Sequence, residues 1–244
     1  MPRFDNLTLT ERVHDHLKQE ILANRYAPGS ELLEVPLSEA LGVSRGPIRE
    51  ALRTLEAEGL VTITPRRGAF VASLTKRDFM EAYQLREALE ALGVRLAVPR
   101  LDLASLAALD ARIDAMEQYA AKADHDAFFD ANAAFHEAFM EASQNRKLIE
   151  VYRRLMAQMG PYRRPSARLR GNLERSIAEH REIVASARAG DVETAVTLVM
   201  RHIEVPQRSL EALTDEEFAR SIQAAATPEA PLDGTGPDEP HALG

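Results

Sequence analysis

Cysteine is absent from the 244 residues, so the chain can form neither a disulfide nor a thiolate metal site. Long apolar runs are missing too. Nothing approaches the 18 or more consecutive apolar residues of a membrane-spanning helix. The opening segment, MPRFDNLTLTERV, lacks an apolar signal core. No internal repeat of fixed period is visible, and no HExxH-type helix offers a ready hydrolase motif. These absences lead us to expect a cytoplasmic protein with no membrane partner. An excess of positive charge is also lacking. Thirty Lys and Arg stand against 38 Asp and Glu, a net charge of −8. That balance excludes a protein that coats nucleic acid non-specifically. It leaves room for a specific binder whose arginines are local and whose second domain is acidic.

What is present, 45% hydrophobic and 28% charged residues, is a globular composition with length enough for two domains. The most informative stretch runs from Leu37 to Val71. Leu37, Ala40 and Leu41 pattern a short helix, and Gly42-Val43 is a tight break between crossing helices. Ser44 is a good N-cap, and Pro47 is tolerated in the first turn of the helix that follows. Ile48, Ala51, Leu52 and Leu55 share one face, and Arg45, Arg49 and Arg53 the other. Gly59 ends the helix. Val61–Thr64 and Ala69–Val71 then read as strands joined at Pro65-Arg66-Arg67-Gly68. The pattern predicts a winged helix-turn-helix. Its second helix fits a major groove about 12 Å wide, where Arg45 and Arg49 reach bases or phosphates. The Ser44 hydroxyl and the helix N-terminus suit a phosphate. Arg66 and Arg67 suit a minor groove or the backbone. Thr8 and Glu11 form a capping-box pattern for a helix in front, and residues 30–34 can add a strand to the wing.

Residues 8–73 resemble the N-terminal signature of the GntR family of bacterial transcriptional regulators. The resemblance rests on PGSELLEVPLSEALGVSRGPIREALRTLEAEGLV and on RGAFV at the wing. It implies DNA contacts from Ser44, Arg45, Pro47, Arg49, Arg66, Arg67 and Gly68. Val35 stands where many relatives carry an arginine.

Beyond Thr75 only helical periodicity remains. Helices are expected near 76–98, 102–122, 125–143, 145–159, 169–189, 191–208 and 210–224. The expected breaks include a loop at 160–165 and a stop at Pro206. Short connections imply an antiparallel bundle. The fold class is therefore mainly α: residues 1–73 a winged helix-turn-helix, 74–224 an all-helical domain, and 225–244 a Pro/Gly-rich tail expected to be disordered.

Four histidines, His14, His16, His125 and His241, read as surface residues. The other three differ. His136 lies beside the face of Phe128, Phe135 and Phe139, with Asn132 one turn earlier. His180 precedes Ile183-Val184, and His202 sits among Val196, Val199 and Ile203. Three inward histidines on three helices are either satisfied core residues or the makings of a divalent-metal site completed by an oxygen ligand.

The helical region resembles the FCD effector-binding domain of the FadR-type subgroup. Leu85-Arg86-x3-Glu90, Phe135-His136 with Asn145, His180, and Ala189-Gly190-Asp191 before His202 carry the likeness. By it the metal ligands would be Asn132, His136, His180 and His202, with Asn132 where aspartate is frequent. Zinc, nickel and manganese all suit such a set. Arg86 could clamp a carboxylate effector, or simply pair with Glu90. Tyr162, Arg163 and Arg164 are weaker candidates. The expectation is a homodimeric, ligand-responsive repressor on a palindromic double-stranded operator, sensing a small organic acid. The rival is a metal-dependent enzyme carrying an accessory winged helix.

Overall fold

The computed structural model describes residues 7–168 and 173–226. Most of the expected tail, and His241 within it, lie outside the described residues. Helix α1, Leu9–Leu22, starts at the expected capping box. The Thr8 side chain accepts from the Glu11 amide, and the Glu11 carboxylate accepts from Thr8 N–H at 2.7 Å. Strand β1, Glu31–Leu32, leads into α2, Glu34–Leu41, which stops at Gly42 in left-handed geometry. The reading helix α3, Arg45–Glu58, buries Ile48, Ala51, Leu52 and Leu55, the apolar set seen in the sequence. Strands β2, Val61–Thr64, and β3, Gly68–Val71, complete an antiparallel sheet in the order β1-β3-β2. Val61 pairs with Val71 and Glu31 with Phe70. One core, built on Leu17, Ile21, Leu52, Leu55 and Val71, holds these elements together.

A second core fills the helical half. There α4 (Lys76–Ala97), α5 (Leu103–Ala121), α6 (His125–Ala142) and α7 (Arg146–Arg168) are followed by α8 (Leu173–Arg188), α9 (Val192–Glu211) and α10 (Asp215–Ala226). Aspartates open three of them: Asp102, Asp124 and Asp191 each accept an amide three residues on. No described helix is long and apolar enough to cross a membrane.

Two expected breaks are corrected. The loop at 160–165 does not exist, because α7 continues through Gly160, Pro161 and Pro165. Tyr162, Arg163 and Arg164 therefore lie on a helix. Pro206 likewise lies inside α9. An interior proline removes one hydrogen bond and costs roughly 3 kcal/mol. Burying Leu148, Tyr152, Leu155 and Met159 on α7, and Val199, Ile203 and Leu210 on α9, outweighs that loss. His14 is also corrected: it is half-buried between α1 and α3, with Nε2 3.0 Å from Glu58 and Nδ1 2.9 Å from Asp15.

The two halves meet along α7. Ala157 packs against the winged-helix core. The Gln158 amide lies where a Cβ on Gly59 would stand, and Gly160 faces Leu22. Gly59 has φ 79°, left-handed geometry that costs a side-chain-bearing residue roughly 1–2 kcal/mol. Gly59→Ala should lower stability by about that much in thermal denaturation, and an unchanged melting temperature would show that the helix ends differently in solution.

A candidate nucleic-acid interface and a candidate metal centre

Helix α3 begins with an open N-terminus. Ser44 has the extended backbone of an N-cap, yet its hydroxyl makes no capping hydrogen bond, and the first turn carries no acidic residue. The serine thus holds the expected N-cap position without making the side-chain bond. Residues 44–46 are exposed, and the first amides of a helix have no partner within it, an arrangement that can take a phosphate oxygen. Ser44, Arg45 and Arg49 are exposed, and Pro47 is half-buried. Arg49 is occupied: its Nε and Nη2 donate to the two Glu34 oxygens at 3.0 and 2.8 Å. That pair holds the Glu34 carboxyl below its ordinary range. Glu34 was not legible as a partner, because it lies fifteen residues away on another helix. Arg66, Arg67 and Gly68 form the exposed wing tip, where Arg66 adopts φ 66° and the Arg67 guanidinium sits 5.7 Å from the Phe70 ring centre.

The three inward histidines come from α6, α8 and α9 and meet inside the bundle. His136, His180 and His202 are 1%, 0% and 7% exposed. One nitrogen from each lies within 4.8 Å of the others. Ring centres are 4.4 Å apart for His180 and His202, and 5.2 Å for His136 and His202. Two of the rings are held from behind by carboxylates. His136 Nδ1 is 2.6 Å from Glu90 Oε2, and His202 Nδ1 is 2.7 Å from Glu179 Oε2. An ionised carboxylate accepts the Nδ1 proton, so each Nε2 keeps a bare lone pair. His180 Nε2 lies 3.4 Å from His136 Nε2, and His180 Nδ1 is buried without a hydrogen-bond partner. Asn132, 9% exposed, lies one turn before His136 on the same buried face of α6.

Electrostatics agree with the geometry. Burial, ahead of every other influence, pushes His136 down to about 4 although Glu90 works against it. Burial, then His202 and His136, pushes His180 well below its ordinary value. Both imidazoles are neutral at physiological pH, the form that ligates a metal. Burial alone would raise the Glu90 carboxyl. Arg86 and then His136 overturn that and hold it far below the usual range. Arg86, 3% exposed, donates its Nε to Glu90 Oε1 at 2.6 Å, and the Tyr152 hydroxyl donates to the same oxygen at 3.2 Å. The pairing of Arg86 with Glu90 is thus present, and it lies inside the bundle.

Three buried imidazoles, two of them braced by carboxylates, and one orphaned buried ring nitrogen fit a divalent transition metal. Glu179 escaped sequence reasoning because nothing local marks it. Glu90 was legible only as a partner four residues after Arg86. A signal for its second role would have required knowing that α4 lies beside α6.

Comparison with known proteins agrees. Residues 9–71 match the profile described as bacterial regulatory proteins, gntR family, and residues 81–205 match the FCD domain. The chain is 30% identical over 217 residues to the HTH-type transcriptional regulator YdhC of Bacillus subtilis, covering 83% of this chain and 91% of that one. It is 25% identical over 229 residues to the galactonate operon transcriptional repressor of Escherichia coli, covering 85% and 99%. The solved structure of E. coli McbR/YncC superposes with a TM-score of 0.73 at 26% identity, covering 84% of this chain and 98% of that one. Regulators of transcription, not enzymes, make up this company, and the metalloenzyme alternative is set aside. The open-ended reading helix, its wing and the helical bundle behind them thus have a shared name: the chain belongs to the GntR family of bacterial regulatory proteins, with an FCD domain as its helical half.

Proposed function

We propose that this regulator is a metal-dependent sensor of a small carboxylate, acting as a repressor of the FadR type. The convergence of His136, His180 and His202 carries the reading. Residues 1–73 would form the DNA-binding unit and 74–224 the sensing and dimerising unit, followed by a tail over 225–244. The metal would be zinc, nickel or manganese, held by the three histidines with Asn132 as the oxygen donor. A bound divalent metal supplies open coordination positions for a carboxylate. The chain's own residues do the rest. Glu90 and Glu179 fix ring orientation, burial keeps the His136 and His180 imidazoles neutral, and Arg86 places a cation beside the site. The galactonate repressor is named for an operon of a sugar acid, which supports both an organic-acid effector and the negative sign of regulation. Leu85 and Leu92 stand 47% and 40% exposed, seven residues apart on α4, an apolar strip suited to a homodimer. A two-fold dimer matches a palindromic operator.

On DNA, Ser44, Arg45, Pro47 and Arg49 would address the major groove, and Arg66, Arg67 and Gly68 the minor groove or backbone. Arg49 must exchange Glu34 for DNA. Its ion pair is exposed and screened by solvent, whereas a base contact is worth about 1–3 kcal/mol. Arg49→Ala should weaken binding to a duplex selected from a random pool by about 10- to 100-fold without lowering the melting temperature. Unchanged affinity in a salt-matched anisotropy titration would remove Arg49 from the interface. Elemental mass spectrometry of the untagged protein tests the sensor. Near-stoichiometric metal, lost in His136→Ala, is expected. A metal-free wild type after incubation with zinc, nickel and manganese would overturn the metal reading.

A further inference from the structure

We propose that α7 couples the histidine cluster to the reading helix, with Tyr152 as the positioning residue at one end and Gln158 as the contact at the other. The inference rests on the metal reading above and names how that site would reach the DNA-binding half.

Tyr152 is 3% exposed, and its hydroxyl donates to Glu90 Oε1 at 3.2 Å. The other oxygen of the same carboxylate holds His136 Nδ1 at 2.6 Å. One carboxylate thus joins a histidine of the cluster to a side chain of α7. Six residues further along the helix, about 9 Å of rise, comes Gln158. Its amide lies against Gly59, the residue that ends the reading helix α3. Its neighbour Ala157 packs into the winged-helix core, and Gly160 faces Leu22 of α1. Between the two ends, Arg153 binds Glu137 at 2.7 Å and also pairs with Glu141. Both are on α6, the helix that carries His136, so α6 and α7 are tied to move together. A cleft of about 390 Å³ lies beside this contact, lined by Lys18, Leu22, Phe129, Tyr152 and Gly160 among others.

The physical consequence follows from the shared carboxylate. A ligand drawn onto the bare Nε2 of His136 moves the ring, and Glu90 follows the Nδ1 proton. Arg86 holds Oε1 from one side, so the longer Tyr152 bond is the one that must adjust. A packed helix transmits such a shift as a body, and the cavity beside α1 gives it room. Gln158 then bears differently on the end of α3. Coupling of this kind is a difference in contacts between two states, and it works equally in both directions.

Zinc chloride is the probe, with a competing chromophoric chelator to measure binding and hydrogen-exchange mass spectrometry to locate the response. In the wild type, zinc binds and slows exchange in residues 52–60 by about fivefold, the low end of typical coupling. In Tyr152→Phe, which keeps the buried ring, zinc still saturates the site, with affinity weakened by no more than about tenfold, while the response at 52–60 in the zinc-saturated protein is lost. In Gln158→Ala, the response persists at 148–156 and disappears at 52–60. Zinc binding without any change at 52–60 in the wild type would overturn the coupling and leave the metal site standing, as would an undiminished response in both variants. Failure of the wild type to bind zinc would instead overturn the metal reading and the coupling with it.

Discussion

Glu90→Ala is expected to be the most damaging single substitution in the helical half, lowering unfolding free energy by about 3–5 kcal/mol. Glu90 is 1% exposed and serves three partners at once: Arg86 at 2.6 Å, His136 at 2.6 Å and Tyr152 at 3.2 Å. Removing it leaves a guanidinium with 3% exposure and no counter-charge. In so buried a position the desolvation cost of the cation is then uncovered. The comparison that isolates this cause is the double replacement Arg86→Met with Glu90→Met, which removes both charges and should recover much of the loss. Urea denaturation of the metal-free protein measures both. A loss below about 1 kcal/mol for Glu90→Ala would mean that solvent reaches the network, since that is the range of exposed pairs.

Acidification of the metal-free protein should have an effect of similar size. His136 titrates at about 4 in the fold, against an ordinary value of 6.5, because burial opposes its charge. The unfolded chain therefore takes up the proton first, and stability is full above pH 6.5 and falls as the pH drops towards 4. At 1.36 kcal/mol per pH unit, the difference of 2.5 units amounts to about 3 kcal/mol. His180, displaced in the same direction, steepens the fall in the same window. Glu90 adds a further loss below the ordinary carboxylate range, since its charge is favoured in the fold. Denaturant midpoints at pH 7.5, 6 and 5 with a chelator present check this. A flat profile would mean that the cluster is hydrated. Saturating zinc should raise the midpoint at pH 7.5 and lose its effect as protons compete for the ring nitrogens.

The local chemistry of the chain was enough to place the winged helix. Capping at Thr8, the turn at Gly42, the apolar spacing Ile48-Ala51-Leu52-Leu55 and the stop at Gly59 act over a few residues, and each appears in the structure where the sequence puts it. The inward faces of His136, His180 and His202 were legible for the same reason, since helical periodicity alone marks them. Tertiary packing decided the rest. Whether three histidines spread over 67 positions meet at one point depends on how α6, α8 and α9 are arranged, which no local pattern encodes. Glu179 behind His202, Glu34 across Arg49, and the double duty of Glu90 are contacts between helices. The prolines of α7 and α9 teach the same point from the other side: a local penalty reads as a break, and a buried apolar face carries the helix through it. Short-range signals determine which elements form and which face each buries, while the site exists only where separate elements pack together.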